Sequence, residues 1–228
     1  MSPPDLSLPP PGNSAILVVL PLVNRGYRMP KFANLSVQKY LKELSSDKPI
    51  PGGGSAAALA GALGAACSMM VAHFSVRKQK TVEDKKRLSK LTQALGKLIP
   101  KITKIVDEDP KVFSKVARCY GIQRKADTEG KKKAARILMD QALAEAFQVQ
   151  AELAFLIVMS LRVNGELESL ASGSVKNDLN VSRSLLRGAF EGAVSTCEIN
   201  VLYVSDPKKK KELEQELSRL RHEFKSVA

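Results

Sequence analysis

Pro49-Ile50-Pro51-Gly52-Gly53-Gly54-Ser55-Ala56-Ala57-Ala58-Leu59-Ala60-Gly61-Ala62-Leu63-Gly64-Ala65-Ala66 is the stretch on which the fold turns. From Pro49 to Ser75 there is no Asp, Glu, Lys or Arg. A charge-free run of that length is first a candidate membrane span. Its side chains argue against one: eight alanines, five glycines, Ser55, Ser68 and His73 make it weakly hydrophobic, and no positive-inside pattern or aromatic belt frames it. A helix that is small-sided all round suits a bundle interior, where neighbouring helices approach closely. The expectation is an all-α protein with this Ala/Gly-rich helix buried at its centre.

Outward from it, the period stays helical from Ser36 onward. Leu88, Leu91, Leu95, Leu98, Ile102 and Ile105 recur at steps of three and four, with Lys86, Lys90, Lys97, Lys101 and Lys104 on other faces. Thr81 with Glu83 and Asp84, Asp109 with Pro110, Asp127-Thr128-Glu129 and Ser205-Asp206-Pro207 read as helix starts. These signals predict helices over 36–45, 54–79, 82–106, 109–121, 129–162, 177–203 and 206–226, with a kink at Pro100. Short connections make consecutive helices antiparallel, so the fold expected is a bundle of about six to seven helices.

Residues 1–34 differ. Pro3, Pro4, Pro9, Pro10, Pro11 and Gly12 oppose regular structure, and the apolar run 15–23 is broken by Pro21 and has no basic segment before it. A disordered or loosely docked leader is expected over 1–34, with Met29 an alternative first residue, and a single domain over 35–228. The 228 residues, 44% hydrophobic and 26% charged, exclude a disordered or collagen-like chain. Cys67, Cys119 and Cys197, with His73 and His222, have no metal-site spacing, so no metal is expected and a reduced, cytoplasmic chain is. The net charge of +13 attracts phosphate, nucleic acid, an anionic membrane or a multiply acidic small molecule. The run Lys208–Lys211 lacks any accompanying RNA-stacking or helix-turn-helix pattern, so neither nucleic acid nor membrane is the expected partner.

Three consecutive glycines expose backbone N–H groups, and the helix that follows supplies the positive end of a dipole. Such a turn holds an anion or the polar edge of a ligand. It lacks the Lys-Ser/Thr of a P-loop and follows no strand, so nucleotide binding is poorly supported. A helix entry forced by tight packing is the equal alternative. The segment 49–66 resembles the signature of the formiminotetrahydrofolate cyclodeaminase and methenyltetrahydrofolate cyclohydrolase family. Asp109-Pro110-Lys111-Val112-Phe113 with Val116, Asn177-Asp178-Leu179-Asn180-Val181 and Glu198-Ile199-Asn200-Val201 resemble three further segments of that family, so the likeness runs over about 35–205. Gln123, Arg124, Gln150, Asn177 and Thr196 depart from its pattern.

The resemblance implies an all-helical, usually dimeric enzyme acting on the one-carbon unit of a tetrahydrofolate derivative. It either hydrolyses 5,10-methenyltetrahydrofolate to 10-formyltetrahydrofolate or cyclises 5-formiminotetrahydrofolate with loss of ammonia. Neither reaction demands a metal or redox cofactor. Asp109 and Asp178 are then expected as the acid/base carboxylates. Gly52, Gly53, Gly54 and Ser55 would hold the folate, Asn200 would bond the pterin or a carboxylate, and Arg124 would contact the glutamate tail. Residues 77–104, with ten Lys or Arg against Glu83 and Asp84, would draw in a polyglutamate tail. The rival reading is a catalytically silent relative serving as a basic helical scaffold or nucleic-acid-binding module.

Overall fold

The computed structural model describes residues 29–227, and all regular structure among them is helical. A single 3-10 turn, Phe32–Asn34, precedes α1 (Val37–Leu44), α2 (Gly53–Val76), α3 (Val82–Arg124), α4 (Glu129–Glu168), α5 (Val175–Tyr203) and α6 (Pro207–Lys225). Helices α2 to α5 form an up-and-down bundle: α2 packs on α3 and α5, α4 packs on the same two, and α2 meets α4 across the diagonal. The helix α6 lies against α4 and α5.

Three of the starts read from the sequence work as local caps. The Thr81 hydroxyl accepts the Asp84 N–H at 3.0 Å, and Thr128 accepts that of Lys131 at 3.3 Å. Asp206 accepts the N–H groups of Lys208 and Lys209, with Pro207 filling the first helical position.

The fourth start does not exist. In place of helices over 82–106 and 109–121 there is one helix of 43 residues, with Pro100 and Pro110 inside it. An interior proline strips the carbonyl four residues earlier of its N–H partner. For Pro110 that carbonyl belongs to Val106, and the Ser55 hydroxyl of α2 donates to it at 2.8 Å. For Pro100 the carbonyl is that of Gly96, on a stretch exposed to solvent. Asp109 therefore sits in mid-helix and caps a different helix, its Oδ2 accepting the Ser55 N–H of α2 at 3.0 Å.

A second correction concerns α2, which occupies a corner of the bundle and not its centre. Ala58, Ala65, Val71 and Ala72 are fully enclosed, while Leu63, Met70 and Phe74 remain 52%, 37% and 59% exposed along one outer face. The largest fully buried side chains come from α4 (Phe147, Leu153 and Ile157 among them), α3 (Leu88, Leu95, Ile102) and α5 (Phe190, Leu186). The small residues of α2 do permit close approach on its inner sides. A Cβ on Gly61 would overlap Ile157 Cδ1, and one on Gly64 would stand 2.8 Å from Leu186 Cγ. Helices α2 and α4 are each long and apolar enough to cross a membrane, and 56% and 61% of their most apolar windows are buried inside the bundle.

Of the expected leader, residues 1–28 lie outside the described residues. Phe32 is 3% exposed and the Ala33 N–H donates to Asp107 Oδ1 at 3.2 Å, so the docked chain begins before residue 35. Midway along α2 a polar knot joins three helices. Asn164 of α4 donates to Ser68 Oγ at 3.1 Å and Ser182 Oγ at 3.0 Å, and the Ser182 hydroxyl donates to the Gly64 carbonyl at 2.7 Å. Satisfied buried networks of this kind fix one register among the many that an apolar interface allows.

Gly61→Val should overpack the α2–α4 crossing and lower stability by about 1–3 kcal/mol. The check is the urea midpoint at unchanged slope; an unshifted midpoint would mean that Ile157 gives way freely.

Candidate active site

Helix α2 has 24 residues against 43 in α3. At about 1.5 Å per residue, α3 outruns it by roughly 30 Å. Helices α3, α4 and α5 therefore continue past the first turn of α2, and the Pro49–Gly52 segment, with a cis Ile50–Pro51 peptide, closes only part of the space above it. What remains is a cavity of about 320 Å3. Its floor is Gly52, Gly53 and Gly54 beside Asp109. Helix α3 contributes Phe113, Val116 and Tyr120, spaced to share a face; α4 contributes Leu143 and Ala146; α5 contributes Thr196, Ile199, Asn200 and Tyr203. Asp109 is the one carboxyl among these linings.

Both oxygens of that carboxyl are held. Oδ2 accepts the Ser55 N–H, and Oδ1 accepts Gln150 Nε2 from α4 at 2.7 Å. Burial pushes the Asp109 carboxyl above the usual carboxylate range, an effect offset in part by the Gln150 and Ser55 donors. Gly54 is required here, because a Cβ would overlap both Asp109 Oδ1 and Gln150 Nε2. The Ser55 hydroxyl has one proton and gives it to Val106, so the Tyr40 hydroxyl, 3.0 Å from Ser55 Oγ, is the donor of that pair. Burial, with a smaller contribution from the Asp109 charge, raises the Tyr40 phenol above its ordinary value. The N–H groups of Gly53 and Gly54 belong to the first helical turn and have no acceptor within the helix.

Gly52, Gly53, Gly54, Asp109 and Asn200 thus meet in one cavity, and Ser55 lies fully buried behind it. Asn200 donates to the Thr196 carbonyl of its own helix at 2.8 Å and not to a carboxylate. Arg124 is exposed at the end of α3, one turn beyond Tyr120. Asp178 is elsewhere: it stands in the first turn of α5, about 33 Å along the helix from Asn200, with no hydrogen bond or ion pair among the described residues. The basic stretch 77–104 is also displaced, since it runs up the first part of α3 from the end of the bundle opposite the cavity. Its last member, Lys104, pairs with Glu108 at 2.6 Å. Tyr40, Phe113, Tyr120, Gln150 and Tyr203 went unnoticed as site residues; the signals on offer were the spacing of Phe113, Val116 and Tyr120 on one helix face and the departure of Gln150 from the family pattern. Among the described residues no group of three His, Cys, Asp or Glu is placed to hold a metal ion, and Cys67, Cys119 and Cys197 are free thiols.

An all-helical bundle with an apolar cavity over a glycine-led helix start, floored by one buried carboxyl, is the class this geometry defines. The family model for formiminotransferase-cyclodeaminase matches residues 36–219, and the chain belongs to that family. A methenyltetrahydrofolate cyclohydrolase of Methylorubrum extorquens is 34% identical over 116 residues, 51% of this chain and 55% of that one. The formimidoyltransferase-cyclodeaminase of Gallus gallus is 27% identical over 221 residues, 94% of this chain but 39% of its own length. The chain therefore spans about half the length of the first of these relatives and well under half of the second. A formiminotetrahydrofolate cyclodeaminase structure from Thermotoga maritima superposes with a TM-score of 0.65 over 85% of this chain and 92% of that one, at 22% identity, which shows the fold.

The raised Asp109 carboxyl has a consequence for stability. The folded chain binds that proton more tightly than the unfolded chain does, so the stability it contributes is full below about pH 4 and is lost as pH rises through the folded value. Asp109→Asn removes this loss. Its urea-unfolding free energy relative to wild type should climb as pH rises from about 4; a difference flat with pH would show that Asp109 titrates as in the unfolded chain.

Proposed function

We propose that this protein acts on the one-carbon bridge of reduced folate, hydrolysing 5,10-methenyltetrahydrofolate to 10-formyltetrahydrofolate in the cavity above α2. The observation that carries the reading is Asp109, the one carboxyl lining the pocket, held from two sides at the floor of a largely apolar space. Asp109 takes a proton from water as its oxygen attacks the bridging carbon and returns it to N5 as the carbon–N5 bond breaks; the remaining hydroxyl proton passes to solvent as the formyl C=O forms on N10. A carboxyl raised above its ordinary value is better matched to this exchange near neutral pH. The unshared N–H groups of Gly53 and Gly54 favour negative charge developing on the attacking oxygen.

A second reading, ring closure of 5-formiminotetrahydrofolate with release of ammonia, is favoured by relatives that match most of the chain. The Gallus gallus and Rattus norvegicus formimidoyltransferase-cyclodeaminases cover 94% and 85% of it. In that reaction Asp109 is the acid that protonates the departing amine. Arg124 and the neighbouring Lys125, beyond Tyr120, are the cations suited to a polyglutamate tail in either case.

The methenyl chromophore decides between the readings. Its loss faster than the buffer control supports hydrolysis, and its appearance from the formimino compound supports cyclisation. Asp109→Asn should lower kcat by about 10²-fold or more, and Arg124→Ala should raise KM for polyglutamylated folate more than for the monoglutamate. Near wild-type turnover in Asp109→Asn overturns the assignment of the carboxyl. If neither folate changes while the protein shifts a nucleic-acid probe at physiological salt, the scaffold reading replaces the enzymatic one.

The homodimer implied by the family resemblance is proposed to form through α2. Leu63, Met70 and Phe74 share its exposed face, and no charged residue lies between Pro49 and Ser75. Two copies each carrying +13 repel through their basic faces and meet at least cost through an uncharged one. Leu63→Asp should convert the dimer to a monomer by light scattering; an unchanged mass overturns this assignment of the interface.

A further inference from the structure

We infer that Gln150 is the positioning residue that lets Asp109 change protonation state without losing its partner: its amide donates to the carboxylate and, turned over, accepts from the carboxylic acid. This rests on the reading of Asp109 as the group that exchanges the proton.

The geometry leaves few alternatives. The Oδ2 atom of Asp109 is bound to a backbone N–H, which can never accept a proton. The proton of the neutral acid therefore belongs on Oδ1, where an acceptor must be found. Gln150 faces that oxygen, with Nε2 at 2.7 Å, and it is wholly buried. Its other amide atom, Oε1, is also buried and has no hydrogen-bond partner among the described residues. Native interiors rarely leave such an atom unsatisfied. Inverting the amide about its terminal torsion, which is broad and roughly two-fold, brings Oε1 to Oδ1. Gly54 keeps the space open, since any Cβ there would collide with both groups of the pair.

Among the described residues Gln150 is the only side chain hydrogen-bonded to Asp109. From α1, Tyr40 is the titratable neighbour, and its hydroxyl proton is committed to Ser55. Helix α2 has no Asp, Glu, Lys or Arg between Gly53 and Ser75, and its one imidazole, His73, is exposed and distant. On α3, Asp107 is engaged by the Ala33 N–H and Glu108 by Lys104. Across the cavity α5 offers the uncharged Thr196 and Asn200, and Tyr203 and Tyr120 face the same space.

The test follows the carboxyl itself. The C=O stretching band of protonated Asp109, identified by its absence in Asp109→Asn, is titrated by infrared spectroscopy in the full chain. Gln150→Met keeps the approximate shape but removes donor and acceptor together. Because a hydrogen bond to the charged form is the stronger of the two, the midpoint should rise by about one pH unit. The matching limb of the turnover profile should move with it. In Gln150→Glu, two facing carboxyls would share one proton and titrate in two separated steps. An unmoved midpoint in Gln150→Met, or a single unshifted step in Gln150→Glu, overturns the proposal. A midpoint that moves in a protein turning over neither folate upholds the Asp109–Gln150 pairing and overturns the folate reading alone.

Discussion

Ser55 and the Asp109–Pro110 pair complete each other, and the rest of the architecture depends on that exchange. The Ser55 N–H, orphaned at the start of α2, goes to Asp109; the Val106 carbonyl, orphaned by Pro110, receives the Ser55 hydroxyl. Each helix repairs a defect in the other. The repair pins the first turn of α2 against the middle of α3, so that α3 continues unbroken over 43 residues while α2 begins partway along it. The cavity is the space left by that offset.

A second polar fastening, the Ser68–Asn164–Ser182 knot, lies about two-thirds of the way along α2. Between the two, α2 offers mostly alanine and glycine, which pack closely but discriminate poorly between registers one turn apart. Two hydrogen-bonded points remove that ambiguity. The site end is the more demanding of the two, because it holds an ionisable carboxyl in a buried place.

Much of the fold was legible because the evidence for it is local. Helical periodicity and the caps at Thr81, Thr128 and Asp206 depend on residues within one turn of each other. Asp109-Pro110 misled for the same reason: locally it has the chemistry of a helix start, and only a hydroxyl 51 residues away in sequence from Val106 makes it a helix interior. Asp178 does stand at a helix start as read, but the length of α5 carries it far from the cavity. The basic stretch 77–104 looked close to the glycine turn in sequence, and an antiparallel turn takes most of it to the opposite end. Gln150 was visible only as a departure from the family pattern, since nothing near it in the chain announces that it faces Asp109.

The mutual repair also constrains how these positions can change over generations. If Ser55 is lost while Pro110 remains, a buried carbonyl is stranded. If Pro110 is lost first, an ordinary residue restores the backbone N–H to Val106, and the serine hydroxyl is then needed only as the acceptor for Tyr40. The two sites are therefore linked by an asymmetric dependence. Descent can shed the proline without stranding the Val106 carbonyl, while losing the serine first leaves that carbonyl unsatisfied in the core.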